Sequence, residues 1–342
     1  MTDQSLNPNH IMQTATGFWA SKVLLTAAGL DLFTKLGNRK MTASQLGTVL
    51  ELHPRATFDF FDALVALRFL DRDGDGAAGQ YRNTPETAAF LIKTSPSYMG
   101  GLPQMLNSRL FGFWNDLDVA LRTGLPQNEV KHGRKPVFEE LYSDSARLAE
   151  FLDAMSSLQV ANFSILAEKF PFSRYQSVSD IGGALALLSR LVGARHQHLT
   201  FKSFDLPAVA PLAQKHIDSA GLTQRIEAVP GDFFKDEFPK ADVIAMGNIL
   251  HDWNLRDKKM LIGKAFNALP EGGAFIAIEN LIDDARRTNV FGLLMSLNML
   301  IEFGDASDYT GADFCGWCGE IGFKRFEVIS LTGAASAAIA YK

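Results

Sequence analysis

The chain has 342 residues, 47% of them hydrophobic and 21% charged, which is long enough for two domains and outside the composition of disordered chains. A formal net charge of −5 argues against nucleic acid or an anionic membrane as the main partner. Two cysteines cannot make a disulfide framework, no apolar run reaches the length of a membrane span, and the N-terminus lacks the basic-then-apolar order of a signal peptide, so a cytoplasmic protein is expected.

In chain order, apolar residues at helical spacing over 11–37 (Phe18, Trp19, Val23, Leu24, Phe33 and Leu36 among them) predict a long first helix, stopped by Gly37. Thr42 is placed to cap a second helix. His53-Pro54-Arg55 opens a third, with Phe58, Phe61, Leu64, Val65 and Leu67 on its buried face. Two short strands around the Gly-rich turn at 74–76 complete a winged-helix pattern. Its DNA-binding reading fails on charge, because residues 58–69 hold Arg68 beside Asp59 and Asp62. A dimerisation role suits the apolar first helix better. Residues 101–172 read as helical and aromatic-rich, with Phe111, Trp114, Phe138, Leu141, Phe151, Met155 and Phe163 mostly in the core.

After Pro171 strands and helices alternate. Strands are expected at 177–181, 200–204, 225–230, 243–246 and 273–278, and a terminal hairpin at 324–331 and 335–341. Together they predict an α/β fold with a Rossmann-like, seven-stranded, doubly wound sheet that contains one antiparallel strand. The expected division is 1–100 for the winged-helix unit and 101–342 for the second domain, made of a helical linker over 101–174 and the core over 175–342.

Ligands of such sheets sit outside the carboxyl ends of the strands. Three of those ends carry acids or glycines: Asp180-Ile181-Gly182-Gly183, Asp205-Leu206, and Gly231-Asp232-Phe233. Asp205, 25 residues after Asp180, suits a carboxylate that accepts from a ribose diol, while backbone N–H groups after Gly182 suit an anionic group at a helix start. A fourth strand end runs Gly247-Asn248-Ile249-Leu250-His251-Asp252-Trp253. Histidine there is placed to take a proton near neutral pH.

These motifs, with Leu269-Pro270-Glu271-Gly272-Gly273, resemble the two-domain S-adenosylmethionine-dependent O-methyltransferases of the caffeic acid and acetylserotonin type, over nearly the whole chain. The resemblance implies a homodimer joined through the N-terminal domain, S-adenosylmethionine as cofactor, and a small, aromatic acceptor. It implies His251 as general base, with Glu279 and Asp308 as flanking acids; the family usually has a Glu where Asp308 stands. Asp180, Gly182, Gly183, Asp205, Leu206, Gly231, Asp232, Phe233, Gly247 and Trp253 fall at the cofactor, with Asp205 at the ribose and Asp232 and Phe233 at the adenine. Met155, Asn248, Met295 and Met299 fall at the acceptor, and Phe18 or Trp19 reaches the partner subunit's pocket. No metal is expected.

One departure matters. The family motif after the first strand is D-x-G-G-G-x-G, and here Ala184 and Ala186 replace two glycines. Alanine at φ > 0 costs on the order of 1 kcal/mol, and its Cβ can intrude on a ligand. Two further readings therefore stand beside the transferase: a methyltransferase-fold protein with weakened cofactor binding, repurposed for another reaction or for ligand binding, and a winged-helix regulator that senses a ligand. Cys315-Gly316-Trp317-Cys318 imitates a redox pair but lies inside a predicted helix, so both cysteines are read as packing residues. His196 and His198 are read as surface residues at a turn.

Overall fold

The computed structural model describes residues 6–133 and 145–342. Phe138 and Leu141 lie outside them. The chain divides into two units, Met1–Gly112 and Phe113–Lys342, so residues 101–112 group with the N-terminal unit.

In the N-terminal unit the first helix, Asn9–Gly29, stops earlier than its apolar spacing predicts. Asp31 takes a left-handed conformation (φ 58°), and a short helix, Leu32–Leu36, follows. The break turns Leu32, Phe33 and Leu36 into the unit's core, while Ile11, Met12, Phe18 and Trp19 remain exposed on the first helix. Thr42 caps the helix Ala43–Val49 through a reciprocal capping box with Gln45. In the helix Pro54–Ala66, Phe61 and Leu64 are buried, whereas the expected Phe58 and the following Leu67 are exposed; Thr57 takes the inner position instead. The wing is β2 (Leu70–Asp73) and β3 (Gln80–Asn83), joined by β1 (Met41–Thr42) in the order β1-β3-β2. Asp62 accepts from Arg72 and from the Tyr81 hydroxyl, each at 2.6 Å, so this carboxylate braces the wing.

The second unit is built on β4 (Ser177–Ile181), β5 (Thr200–Asp205), β6 (Ile226–Pro230), β7 (Val243–Gly247), β8 (Ala274–Glu279), β9 (Arg325–Ser330) and β10 (Ser336–Tyr341). Their order is β6-β5-β4-β7-β8-β10-β9, all parallel except β10, as the sequence predicts. The central strands β7 and β8 are apolar without alternation because both faces are covered: β7 is buried from Val243 to Met246 and β8 along its whole length. The order reverses between β4 and β7, which opens a crevice at their carboxyl ends. The chain connections after β4, β5, β7 and β8 converge there.

Candidate active site

The connection after β4 is a backbone device. Gly182 (φ 68°), Ala184 (φ 48°) and Ala186 (φ 56°) are all left-handed, and the helix Leu187–Arg195 begins only after them. The two alanines thus adopt the conformation a glycine would take more freely. Their methyls are absorbed by the protein. Ala186 is fully buried in the core beside β4 and β5, and Ala184 packs against the cluster of Leu148, Leu152, Leu185 and Val209. Gly182 and Gly183 also meet a packing constraint from the protein itself. A Cβ on Gly182 would stand 2.3 Å from Cδ1 of Ile249, and one on Gly183 2.2 Å from the Ser203 hydroxyl. Gly231 is hemmed in likewise by the Phe204 ring, at 2.2 Å, and Gly247 by the Phe163 ring, at 3.0 Å.

Asp205, at the end of β5, is held by this loop. Its Oδ2 accepts from the Ala184 amide at 2.8 Å and its Oδ1 from the Leu206 amide at 2.7 Å. Burial pushes its pKa up and the two amides pull it back. Each oxygen keeps a lone pair for a hydroxyl donor. Asp180 is buried and accepts from the Ser189 hydroxyl at 3.1 Å; burial raises its pKa to about 7. Asp232, beyond β6, pairs with Lys235 at 2.9 Å, which holds its pKa below the usual carboxylate range. Phe233 and Phe234 meet Trp253 edge-on, with centroids 5.8 and 4.6 Å apart, and the buried Trp253 indole N–H has no partner among the described residues. An anchored carboxylate, a tight helix-entry loop and an aromatic corner with a free donor fit the ribose, carboxylate and adenine of a nucleoside-bearing cofactor. The alanine methyls do not contradict that fit.

Beyond β7, Asn248 is left-handed (φ 53°), a conformation asparagine tolerates, and a single 3-10 turn, Leu250–Asp252, carries the histidine. His251 is buried at 7% exposure. Its Nδ1 faces Asp308 Oδ1 at 3.4 Å and its Nε2 faces Asp252 Oδ1 at 3.3 Å. Glu279, at the end of β8, accepts from the Leu250 amide at 3.0 Å and so fixes the turn. One donor atom from each of His251, Glu279 and Asp308 lies within 4.8 Å of the others. Three residues far apart in sequence, each expected at the chemistry, are therefore brought together. Burial by itself lowers the imidazole pKa, but the surrounding carboxylates, with Asp252 foremost, outweigh it and raise it to about 10. Burial raises Asp252 to about 6 and Glu279 to about 7.

Such a trio also has the donor chemistry of a metal site.

Asp252 stands in the motif beside His251 with no role assigned from sequence, and no pattern in the sequence marks Lys258. Among the expected acceptor residues, Met299 is buried, Met155, Asn248 and Met295 are half-buried, and Asn298 on the same helix accepts from the Trp114 indole at 3.0 Å. Cys315 and Cys318 are free thiols within the helix Gly311–Ile321, and Cys318 is fully buried with its pKa raised by burial. His196, half-buried, is bonded to the Ala167 carbonyl, and His198, exposed as expected, to those of Phe172 and Tyr175.

A family model of the O-methyltransferase domain matches residues 114–324, and one of the O-methyltransferase dimerisation domain matches residues 12–93. The chain is 36% identical to the tetracenomycin polyketide synthesis 8-O-methyl transferase TcmO of Streptomyces glaucescens, over 98% of this chain and 97% of that one. It is 33% identical to the N,N-dimethyltransferase OxyT of Streptomyces rimosus, over 92% and 90%. Its fold is similar to that of human N-acetylserotonin methyltransferase, solved in complex with S-adenosylmethionine, with a TM-score of 0.89 at 24% identity, over 100% and 99% of the two chains.

Proposed function

This chain belongs to the O-methyltransferase family, and we propose that it methylates a hydroxyl on an aromatic, polyketide-type acceptor with His251 as general base. The observation that carries the mechanism is the buried imidazole held between Asp308 and Asp252 over Glu279. The polyketide class of acceptor is supported by the likeness to TcmO.

S-adenosylmethionine, when bound, supplies an electrophilic methyl on a positively charged sulfur. Asp205 is assigned to the ribose hydroxyls, and Asp232, Phe233 and Trp253 to the adenine. Asp180, Gly182, Gly183, Leu206, Gly231 and Gly247 shape the crevice around them. Met155, Asn248, Met295 and Met299 are assigned to the acceptor. The exposed Phe18 and Trp19 suit a homodimer formed through residues 1–100.

Asp308 is nearly sealed from solvent while Asp252 keeps some exposure, so the Nε2 side of His251 is the side an acceptor can approach. A phenol has a pKa of about 10. An imidazole raised to about 10 is matched to it, so the proton passes between them with little cost either way. Asp308 on Nδ1 fixes the tautomer and stabilises the imidazolium that forms. Much of the remaining acceleration comes from holding the oxygen in line with the methyl.

Calorimetry with S-adenosylmethionine and a panel of hydroxylated naphthalenes and anthraquinones tests this reading. Binding, with methyl transfer that falls roughly 10²–10⁴-fold in His251→Ala at unchanged cofactor affinity, is the expected result. Wild-type rates in that variant remove the base, and no binding at millimolar cofactor removes the transferase.

A further inference from the structure

Lys258 lies in the helix Leu255–Ala268 and, among the described residues, is the one lysine or arginine buried from solvent, at 1% exposure. An ammonium group removed from water costs several kcal/mol unless its donors and its charge are both answered. Its donors are answered from two loops. Nζ donates to the Trp253 carbonyl at 2.5 Å and to the Ser307 carbonyl at 2.8 Å, with the Ser307 hydroxyl at 3.5 Å and the Tyr309 ring centroid at 5.8 Å. Trp253 ends the turn that carries His251 and Asp252, and Ser307 immediately precedes Asp308. One side chain therefore pins the base's loop and the loop of its orienting acid to the same point.

Its charge is answered in part by the site itself: burial lowers its pKa, and Glu279, Asp308, Asp252 and Asp305 act against that shift, with the Tyr309 ring beside it. Three of those carboxylates also surround His251. Without a cation here, a buried group of three acids and one imidazole would hold extra protons, and a protonated Asp308 or Asp252 orients the imidazole wrongly. A helix of ordinary amphipathic pattern needs no lysine on its inner face, so packing does not account for the residue.

We infer that Lys258 is a positioning residue for methyl transfer: it ties the His251 turn to the Asp308 loop and keeps the intervening carboxylates ionised. It touches neither acceptor nor cofactor. This rests on the assignment of His251 as base.

The test is the pH dependence of kcat in Lys258→Met and Lys258→Arg, with thermal melting and calorimetric cofactor binding as controls. Removing a buried positive charge raises the proton affinity of every neighbour, so the profile of Lys258→Met is expected to move to higher pH by about 0.5 unit or more. At the pH of the wild-type plateau its kcat falls roughly tenfold, while KM for the acceptor changes less than about threefold. Lys258→Arg keeps the charge and leaves the profile in place. An unmoved profile in a folded Lys258→Met overturns the proposal, whatever happens to its melting temperature. Where that variant does not fold, Lys258→Gln carries the same test; failure of both neutral variants to fold assigns Lys258 to stability alone and overturns it too. Full activity in His251→Ala sinks the base assignment instead, so the two failures are distinguishable.

Discussion

Neighbouring strands of one sheet end in two sites that use the sequence differently. The loop after β4 works through its backbone: three left-handed residues, two of them alanines, set its path, and the Ala184 amide donates to Asp205. The cluster beyond β7 and β8 works through side chains, whose proton affinities depend on one another. Left-handed strain costs an alanine about 1 kcal/mol, and burying its methyl returns about 0.8 kcal/mol. The near-cancellation explains how the loop departs from the family's glycines without losing its path. No such exchange is open to the cluster, because replacing one member changes the charge felt by all the others. Sites built from backbone tolerate substitution wherever the new side chain finds space; sites built from coupled charges do not.

That contrast breaks if the cluster proves tolerant. Asp308→Asn keeps the shape at Nδ1 and removes the charge, and is expected to lower kcat roughly 10²–10⁴-fold with little change in melting temperature. A loss below tenfold would mean that Asp308 only packs. The next effect is pH. With the imidazole raised to about 10, neutral base is scarce at pH 7, so kcat/KM is expected to rise about tenfold per pH unit from 7 towards 9. A profile already flat at pH 7 would show that the imidazole is neutral there.

The loop supplies the smaller effects. Gly182→Ala forces alanine into φ 68° with its Cβ against Ile249, for an expected loss of about 2 kcal/mol of stability in a denaturant titration. Ala184→Gly relieves strain but frees the unfolded chain, so its stability is expected to stay within about 1 kcal/mol of wild type and its cofactor affinity within about threefold. A large gain in affinity would mean that the Ala184 methyl obstructs the cofactor after all.

Much of this was legible in the chain. The seven strands, their doubly wound arrangement and the Thr42 helix start follow from apolar runs, turn residues and caps, which are local properties. His251 stood out because it follows a strand end at the ligand edge, whereas Glu279 and Asp308 were marked only by the resemblance to the family. The exposure of Phe58 and Leu67 was not legible, because helical spacing marks a face without saying how wide the partner surface is. Nor was the role of Lys258, since a lysine in a charged helix reads as solvated until Trp253 and Ser307 are seen on either side of it.

Local pattern alone therefore determined the architecture and the strand ends where chemistry belongs, because backbone hydrogen bonding and apolar periodicity act over a few residues. Only the tertiary structure decided how basic His251 is and why Gly183 admits no side chain. Both depend on atoms tens of residues away: the carboxylate of Asp308 in one case, the hydroxyl of Ser203 in the other.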